Sequence, residues 1–570
     1  MIKPLLKLGI VFLVSTTIVQ AQKMFTEVSK QAGINHQFEV FEGFLGGGAC
    51  VIDINNDGFD DIFIAGGKAD DVLYLNNRNG TFTNIYTKSG LTKTRNYLTQ
   101  GAVAADVNRD GWVDLYITTI TSKGTKKIIP REINLLFLNN KNNTFRDATK
   151  EYGLGELYSF STGANFGDVN ADGYPDLYVG NYFTQYPGDL STINASMIVG
   201  ANQIGEGTLL INQQGKGFKD EYKAYGLSHK GFGFGGVFTD YDNDGDQDLI
   251  VNHDFGYKKT PNLLLDNQYP MSYFNDVAPK LGMDLKINSM GTAVGDYNND
   301  GLMDYFFTNI RFNKLMINNG AGKPFSDKTA EAGLNTITIS WGANFADFDH
   351  DGDLDLFVVN GDLNPNCVPM GDFYFENNNG KYTDLAGLKG INDYGIGRGS
   401  VMLDYDNDGD LDLLVVNQKP VLPNFPTESV THLYRNDGAK GNWIKIALKG
   451  IQAETHGLGS KVEIVVGGKH YIREIDGGGS SHLSQNATFA HFGLGNATQV
   501  DEIIVHWTGG YKQVLKNQKA NQLVVITEEE HVDPLVWTKL IIVVVVVLVL
   551  LGGYFIWKNV RKRNKHFMDK

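Results

Sequence analysis

Two cysteines and 14 prolines are little of either for 570 residues. Cys50 and Cys367 do not make a disulfide framework, so crosslinks cannot be what holds the chain together. Cys50 falls at a repeat position shared with Val103, Val237, Ala293 and Val401 and reads as a small buried residue. Cys367 lies in a loop, and a link between the two stays open. Positive charge is short as well: 50 Lys and Arg against 65 Asp and Glu leave a formal charge of −15, which argues against nucleic acid as a partner. Apolar runs long enough to concern a membrane are confined to the two ends. What is abundant is glycine, at 67 residues, and aromatic side chains, at 11%. With so few prolines, that composition fits an all-β chain with many tight turns and speaks against disorder. The length calls for a repeat domain with additions rather than one ordinary core.

Residues 1–21 carry Lys3 and Lys7, an apolar run from Leu8 to Val19, and Val19-Gln20-Ala21 as a small-residue cleavage site. They read as a secretory signal peptide cut before Gln22. Near the other end, Leu540 to Ile556 carries no charge and is bracketed by Trp537 and Trp557. At about 1.5 Å per residue that is roughly 30 Å of helix, the thickness of a bilayer core. Lys558, Arg561, Lys562, Arg563 and Lys565 follow it, and Glu528, Glu529, Glu530 and Asp533 precede it. The positive-inside rule places the tail in the cytoplasm and everything before Trp537 outside. The expectation is a leader at 1–21, a linker at 529–537, a transmembrane helix at 538–557 and a basic cytoplasmic tail at 558–570. The chain would thus be exported, with a single pass through the membrane.

Between these ends one nine-residue pattern occurs seven times, with Asp at positions 1, 5 and 9, Asp or Asn at 3 and Gly at 6. Carboxylates so spaced form an oxygen cage for a hard cation, and position 7 offers its backbone carbonyl. The first loop supplies Asp53, Asn55, Asp57 and Asp61 with the carbonyl of Phe59. The second supplies Asp106, Asn108, Asp110 and Asp114 with Trp112, and the third Asp168, Asn170, Asp172 and Asp176 with Tyr174. In the fourth the side chains are Asp240, Asp242, Asp244 and Asp248, with Asp246 at position 7. The fifth has Asp296, Asn298, Asp300 and Asp304 with Leu302, and the sixth Asp347, Asp349, Asp351 and Asp355 with Asp353. The seventh has Asp404, Asp406, Asp408 and Asp412 with Asp410. An EF-hand would need Glu at position 12 and flanking helices; here position 12 of the seventh loop is Val415, inside a strand-like run. Up to seven structural Ca2+ ions are therefore expected, each on a β-hairpin. Calcium is favoured over magnesium because an all-protein cage of five or more oxygens suits the larger ion. Seven such ions would offset nearly all of the −15, so the acidity reads as ligand inventory.

The loops recur at intervals of 53, 62, 72, 56, 51 and 57 residues, the size of a four-stranded propeller blade. Five residues before each loop stands a glycine (Gly48, Gly101, Gly163, Gly235, Gly291, Gly342, Gly399) followed by a small residue, as expected where innermost strands crowd an axis. Fourth strands open at Phe82, Phe145, Phe218, Phe274, Phe325 and Tyr382, one short of seven. The missing one is the N-terminal stretch Phe25 to Ile34, which matches Phe145 to Leu154, so the first residues should close the ring on the last blade. The long connections (Thr119 to Glu132, Asn181 to Glu206, Asn360 to Asp372, Gln418 to Thr431) fall on the face opposite the ion loops, where recognition is expected.

On these repeats the chain resembles the FG-GAP/VCBS family, which includes the integrin α-subunit propellers; Phe166-Gly167 before Asp168 is the nearest thing to a literal FG. From Trp443 the ion loops stop. Gly457-Leu458-Gly459-Ser460-Lys461-Val462, Arg473-Glu474, Ser484-Gln485-Asn486, His491 to Gly495 and Trp507 resemble the ASPIC/UnbV domain that follows such propellers in the cartilage acidic protein family. Thr508 stands where that family usually has proline, a change at the level of a turn. The counts of loops and strands give seven blades, so an all-β, seven-bladed propeller is expected over 22–441 and, on the resemblance, a small, sandwich-like β domain over 442–528; the resemblance names no well-defined activity. His456, His470, His482, His491 and His506 lack tight metal spacing, and Ser480, Ser481, His482 and Asp476 lack a nucleophile elbow. The chain is therefore read as not an enzyme. The expected function is a membrane-tethered extracytoplasmic binding scaffold, for adhesion, ligand capture or surface-complex assembly, with a protein or glycan bound opposite the calcium loops. An enzyme acting on a polysaccharide or other polymer, and an assembly factor for a membrane complex, are the alternatives.

Overall fold

The computed structural model describes residues 23–41, 46–124, 129–184, 204–364 and 366–531, with 553–554 and 558. The expected leader and nearly all of the expected span and tail lie outside these residues. Among the described residues no helix is long and apolar enough to cross a membrane.

Residues 23–436 form seven antiparallel four-stranded sheets in chain order, three of them carrying one extra short strand at an edge. The first sheet shows the plan: Ala49–Ile52, Asp61–Ile64, Val72–Asn76 and Phe82–Asn84 pair in sequence. Alternation of Val, Ile, Leu and aromatic residues gives both faces of each inner strand something apolar to bury, and these strands are buried throughout. The last sheet runs Gly397–Leu403, Asp412–Asn417, His432–Asn436, and its fourth strand is Phe25–Glu27 from the N-terminus. Phe25 faces Asn436 and Glu27 faces Tyr434 in that pairing. Phe25 is buried between Phe348 and Tyr374, each ring 5.7 Å away. Beyond the pairings, the first strand of one sheet lies against the first strand of the next for every neighbouring pair but the fourth and fifth, and that of the seventh sheet against that of the first. The arrangement is consistent with a propeller.

Asn442–Lys449 opens a second all-β unit. It pairs antiparallel with Ala490–Gly495 and parallel with Leu523–Thr527. Lys469–Glu474, Lys461–Val466, Gln499–His506 and Lys512–Lys519 make a four-stranded sheet. The core between them (Ile444, Val462, Val505, Trp507) is continuous with Val103, Phe166 and Val179 of the repeats, so one apolar cluster spans both units. Packing continues to His531, whose ring stacks on Tyr511 at 3.8 Å, two residues into the stretch expected to be linker. Both cysteines are free, Cys50 buried as its repeat position implied.

Candidate functional site

Each nine-residue loop joins the first and second strands of its sheet, and the seven fold alike because the same backbone hydrogen bonds recur. Position 6 is glycine at positive φ in every loop, from +80° at Gly58 to +99° at Gly352, a conformation a side chain strains. Position 4 is left-handed too, which favours Asn: Asn56, Asn243, Asn299 and Asn407 occupy it, with Arg109, Ala171 and His350 as exceptions. The position-1 carboxylate accepts the N–H of position 5 in the first six loops, as in Asp57 to Asp53 at 3.1 Å and Asp110 to Asp106 at 3.0 Å. The N–H of position 7 (Phe59, Trp112, Tyr174, Asp246, Leu302, Asp353, Asp410) goes to the position-5 carboxylate in all seven.

Position 9 is more deeply committed than its spacing suggests. Asp61, Asp114, Asp176, Asp248, Asp304, Asp355 and Asp412 are all buried. Each accepts the backbone N–H of an Asn that ends the third strand, for example Asn76 at 2.6 Å and Asn436 at 2.9 Å. The side chains of six of these Asn residues reach the preceding sheet, as Asn76 does to Tyr405 O at 2.7 Å across the ring closure. Loops also touch loops: Asn407 Nδ2 donates to Gly58 O at 2.9 Å, joining the seventh to the first. Position 9 is thus a structural pin, besides the ligand role expected of it.

Position 3 divides the loops into two kinds. Where it is Asn (Asn55, Asn108, Asn170, Asn298) its side-chain oxygen accepts the position-5 N–H at 3.0–3.2 Å, an Asx turn complete in itself. Where it is Asp (Asp242, Asp349, Asp406) one carboxylate oxygen is buried with no hydrogen-bond partner. In those three loops carboxylate oxygens converge within 4.8 Å, from Asp240, Asp242 and Asp248, from Asp347, Asp349 and Asp351, and from Asp404, Asp406 and Asp412. Burial first, and then like charge, pushes Asp242 and Asp406 up to about 6 and Asp410 up to about 7. Orphaned oxygens and crowded carboxylates with oxygen-only chemistry fit a hard cation in loops 4, 6 and 7.

The ion-loop face is covered by the C-terminal unit. Trp443 packs on Gly409, His491 Nε2 meets Gly409 O at 2.8 Å, and Gly493 N–H donates to Asp347 Oδ2 at 3.0 Å. Lys445 Nζ lies 2.6 Å from Asp404 Oδ2, and Lys461 Nζ 3.0 Å from Asp240 Oδ2. Arg473 acts electrostatically on Asp347 and Asp296 while its guanidinium stacks 5.0 Å from the Phe492 ring. A cleft of about 1040 Å³ remains at this junction, between loops 4 and 5 and the sheet bearing Lys461 and His470.

The segment from Gly477 to Ala487 goes further and fills the axis. Gly477 O accepts from Phe166 N at 2.8 Å, and His482 Nδ1 meets Met290 O at 2.8 Å. Gln485 makes both Ala104 backbone bonds through its amide, at 2.5 and 3.0 Å. Asn486 Oδ1 accepts from Met402 N at 2.9 Å and Asn344 Nδ2 at 3.0 Å, and Ser484 Oγ accepts from Ala49 N at 3.1 Å. Gly479 lies against Gly236, so six first strands are touched, and in the fifth sheet the residues just before the first strand. The glycines before the loops now have a specific reason: a Cβ on Gly48 would sit 2.0 Å from Leu483 O, and one on Gly399 2.6 Å from Ser484 Oγ. The crowding expected at these glycines comes from the axial segment as well as from neighbouring inner strands.

Ser480 donates to Asp476 and accepts from Asn486 Nδ2 at 2.9 Å, with no imidazole in the chain of contacts. His470 and His506 flank the carboxylate of Glu463 at 2.5 and 2.8 Å and hold it down to about 2.

Comparison with known proteins agrees with this division. An FG-GAP-like repeat model matches residues 53–117, 126–179 and 283–358, and an ASPIC and UnbV model matches 450–533. Cartilage acidic protein 1 of Mus musculus is 24% identical over 524 residues, 89% of this chain and 77% of that protein. The Homo sapiens protein is 23% identical over 536 residues, 89% of this chain and 75% of that protein. Among solved structures, an Agrocybe aegerita lectin that recognises non-reducing terminal N-acetylglucosamine shares 16% identity, with a TM-score of 0.34 over 70% of this chain and 92% of its own.

Proposed function

We propose that this chain, which carries FG-GAP-like repeats followed by an ASPIC and UnbV domain, is a calcium-loaded binding scaffold tethered to a membrane outside the cytoplasm. The seven sheets are the blades of a closed propeller, completed by Phe25–Glu27. Calcium in the loops pins the first hairpin of each blade. The stretch 1–21 is the export leader and 538–557 the anchor. A protein or glycan binds on the face from which the long connections leave.

One observation carries the reading. The C-terminal unit covers the ion-loop face and fills the axis, which leaves the opposite face as the one carrying long connections for a partner. The relatedness to cartilage acidic protein supports an extracellular binding or scaffold role.

Three measurements test it. A thermal melt of the purified chain should rise with calcium over chelator; each site filled at 100 times its Kd adds about 2.7 kcal/mol. No shift refutes the calcium reading. Shortening the connection between Asn181 and Glu206 should abolish capture of a protein or glycan found by array screening, with the melt unchanged. Turnover of a glycan or ester, lost on changing one carboxylate or histidine outside the loops, would replace the scaffold reading with an enzyme.

A further inference from the structure

The C-terminal unit meets the ion loops unequally. Lys445 Nζ is 2.6 Å from Asp404 Oδ2 and 2.9 Å from Asn407 Oδ1, with only 7% of its side chain exposed. Lys461 Nζ is 2.5 Å from the Asp240 carbonyl oxygen and 3.0 Å from Asp240 Oδ2, contacts Asn243 Oδ1, and is 4% exposed. Each ammonium thus holds position 1 and position 4 of one loop, loop 7 and loop 4 respectively. Among the described residues no other loop has a lysine or arginine within ion-pair distance of its position-1 carboxylate. Loop 6 offers the internal comparison. It has the same five aspartates as loops 4 and 7, but a backbone N–H, that of Gly493, takes its position-1 carboxylate.

We propose that Lys445 and Lys461 make loops 4 and 7 a separate, weaker class of cation site and couple their loading to the seating of the C-terminal unit. This rests on the calcium reading above. Each ammonium takes one oxygen of position 1, a carboxylate that also converges with those of positions 3 and 9. A divalent ion there shares its aspartate with a fixed positive charge that water barely screens. Repulsion between the two is strong in such a setting, where the effective dielectric constant is far below that of water. Loop 6 is equally acidic, and Arg473 acts on its position-1 carboxylate only from beyond ion-pair distance, so it is the tightest of the five-aspartate loops. Coupling of this kind is reciprocal: an ion entering loop 4 or 7 weakens the lysine's hold by the factor that the lysine weakens the ion. The strands Asn442–Lys449 and Lys461–Val466 carry these lysines, so they are the parts of the unit that respond to calcium.

The test counts sites on the purified full chain, by calcium calorimetry and by terbium luminescence. Wild type should show two sites weaker than the rest by about tenfold or more. In K445M/K461M those two should join the tight class, while K445R, which keeps the charge, should leave loop 7 weak. If the double variant does not fold, K461M alone should move one site. A second readout is hydrogen exchange of Lys461–Val466, which should quicken as calcium rises through the range that fills the weak pair. Binding with the same affinities in wild type and the methionine variants, or exchange indifferent to calcium, overturns the proposal while leaving calcium in place. No binding by wild type at all refutes the calcium reading itself.

Discussion

Replacing Gln485 by alanine isolates what the axial segment contributes to the ring. The amide of Gln485 supplies both partners of Ala104, accepting from its N–H at 2.5 Å and donating to its carbonyl at 3.0 Å. Gln485 is 1% exposed and Ala104 3%, so water does not take over when the amide goes. Two buried backbone groups are then left without partners, at about 1–3 kcal/mol each. The loss should come to about 2–6 kcal/mol, a large part of what holds an ordinary domain folded. Urea unfolding followed by tryptophan fluorescence suits the question. Trp341 is buried beside His482 in the ring and Trp507 is buried in the C-terminal unit, so one signal covers both. Both should report one transition, displaced to lower urea. A loss under about 1 kcal/mol would show that Ala104 finds other partners and that the axial segment is only filler. Two separated transitions would show that the ring folds without it.

Phe25→Ala empties a site enclosed by Phe348 and Tyr374 and should cost about 3–5 kcal/mol, read by the same urea titration. A cost like that of a surface change would mean the N-terminal strand does not close the ring. Gly409→Ala puts a Cβ 1.9 Å from Trp443 at a φ of +95°, and should unseat the C-terminal unit, seen as faster proteolysis after Lys440; unchanged proteolysis refutes the contact. In chelator, stability should rise on acidification. Burial above all pushes Asp61, Asp114 and Asp304 up to about 8 from an ordinary 3.8, so between those values the folded chain binds more protons than the unfolded one. Stability then falls as pH rises through that window, and the metal-free melt should be higher at pH 5 than at pH 8. A flat or opposite profile refutes it.

The loops and the sheets around them were legible because their signals are short-range and repeated. Asp at 1, 5 and 9, Gly at 6 and an apolar strand after 9 need no tertiary knowledge, and the match between Phe25 to Ile34 and Phe145 to Leu154 located the closing strand. The axial segment was not legible. Gly477 to Ala487 has no periodicity, and its partners are spread over all seven sheets, as far as 435 residues away, from Ser484 to Ala49. Lys445 and Lys461 sit on alternating strands, where a charged residue usually faces water. The two roles of position 9 were hidden for a different reason: Asn76, Asn139, Asn212, Asn267, Asn318, Asn377 and Asn436 look like turn residues, which they also are. Only their shared offset from the following turn, seven times over, could have marked them as cross-sheet clamps.

The axial segment also sets an order of events. The inner strands of the ring are made early and the residues that satisfy Ala49, Ala104, Asn344 and Met402 are made late, after residue 476. Until then a nearly complete ring emerges with open backbone groups along its bore. A chain cut short after the seventh sheet therefore lacks its keystone, though every repeat is present. A library that trims this protein to its repeats would discard the residues that satisfy backbone groups of its inner strands.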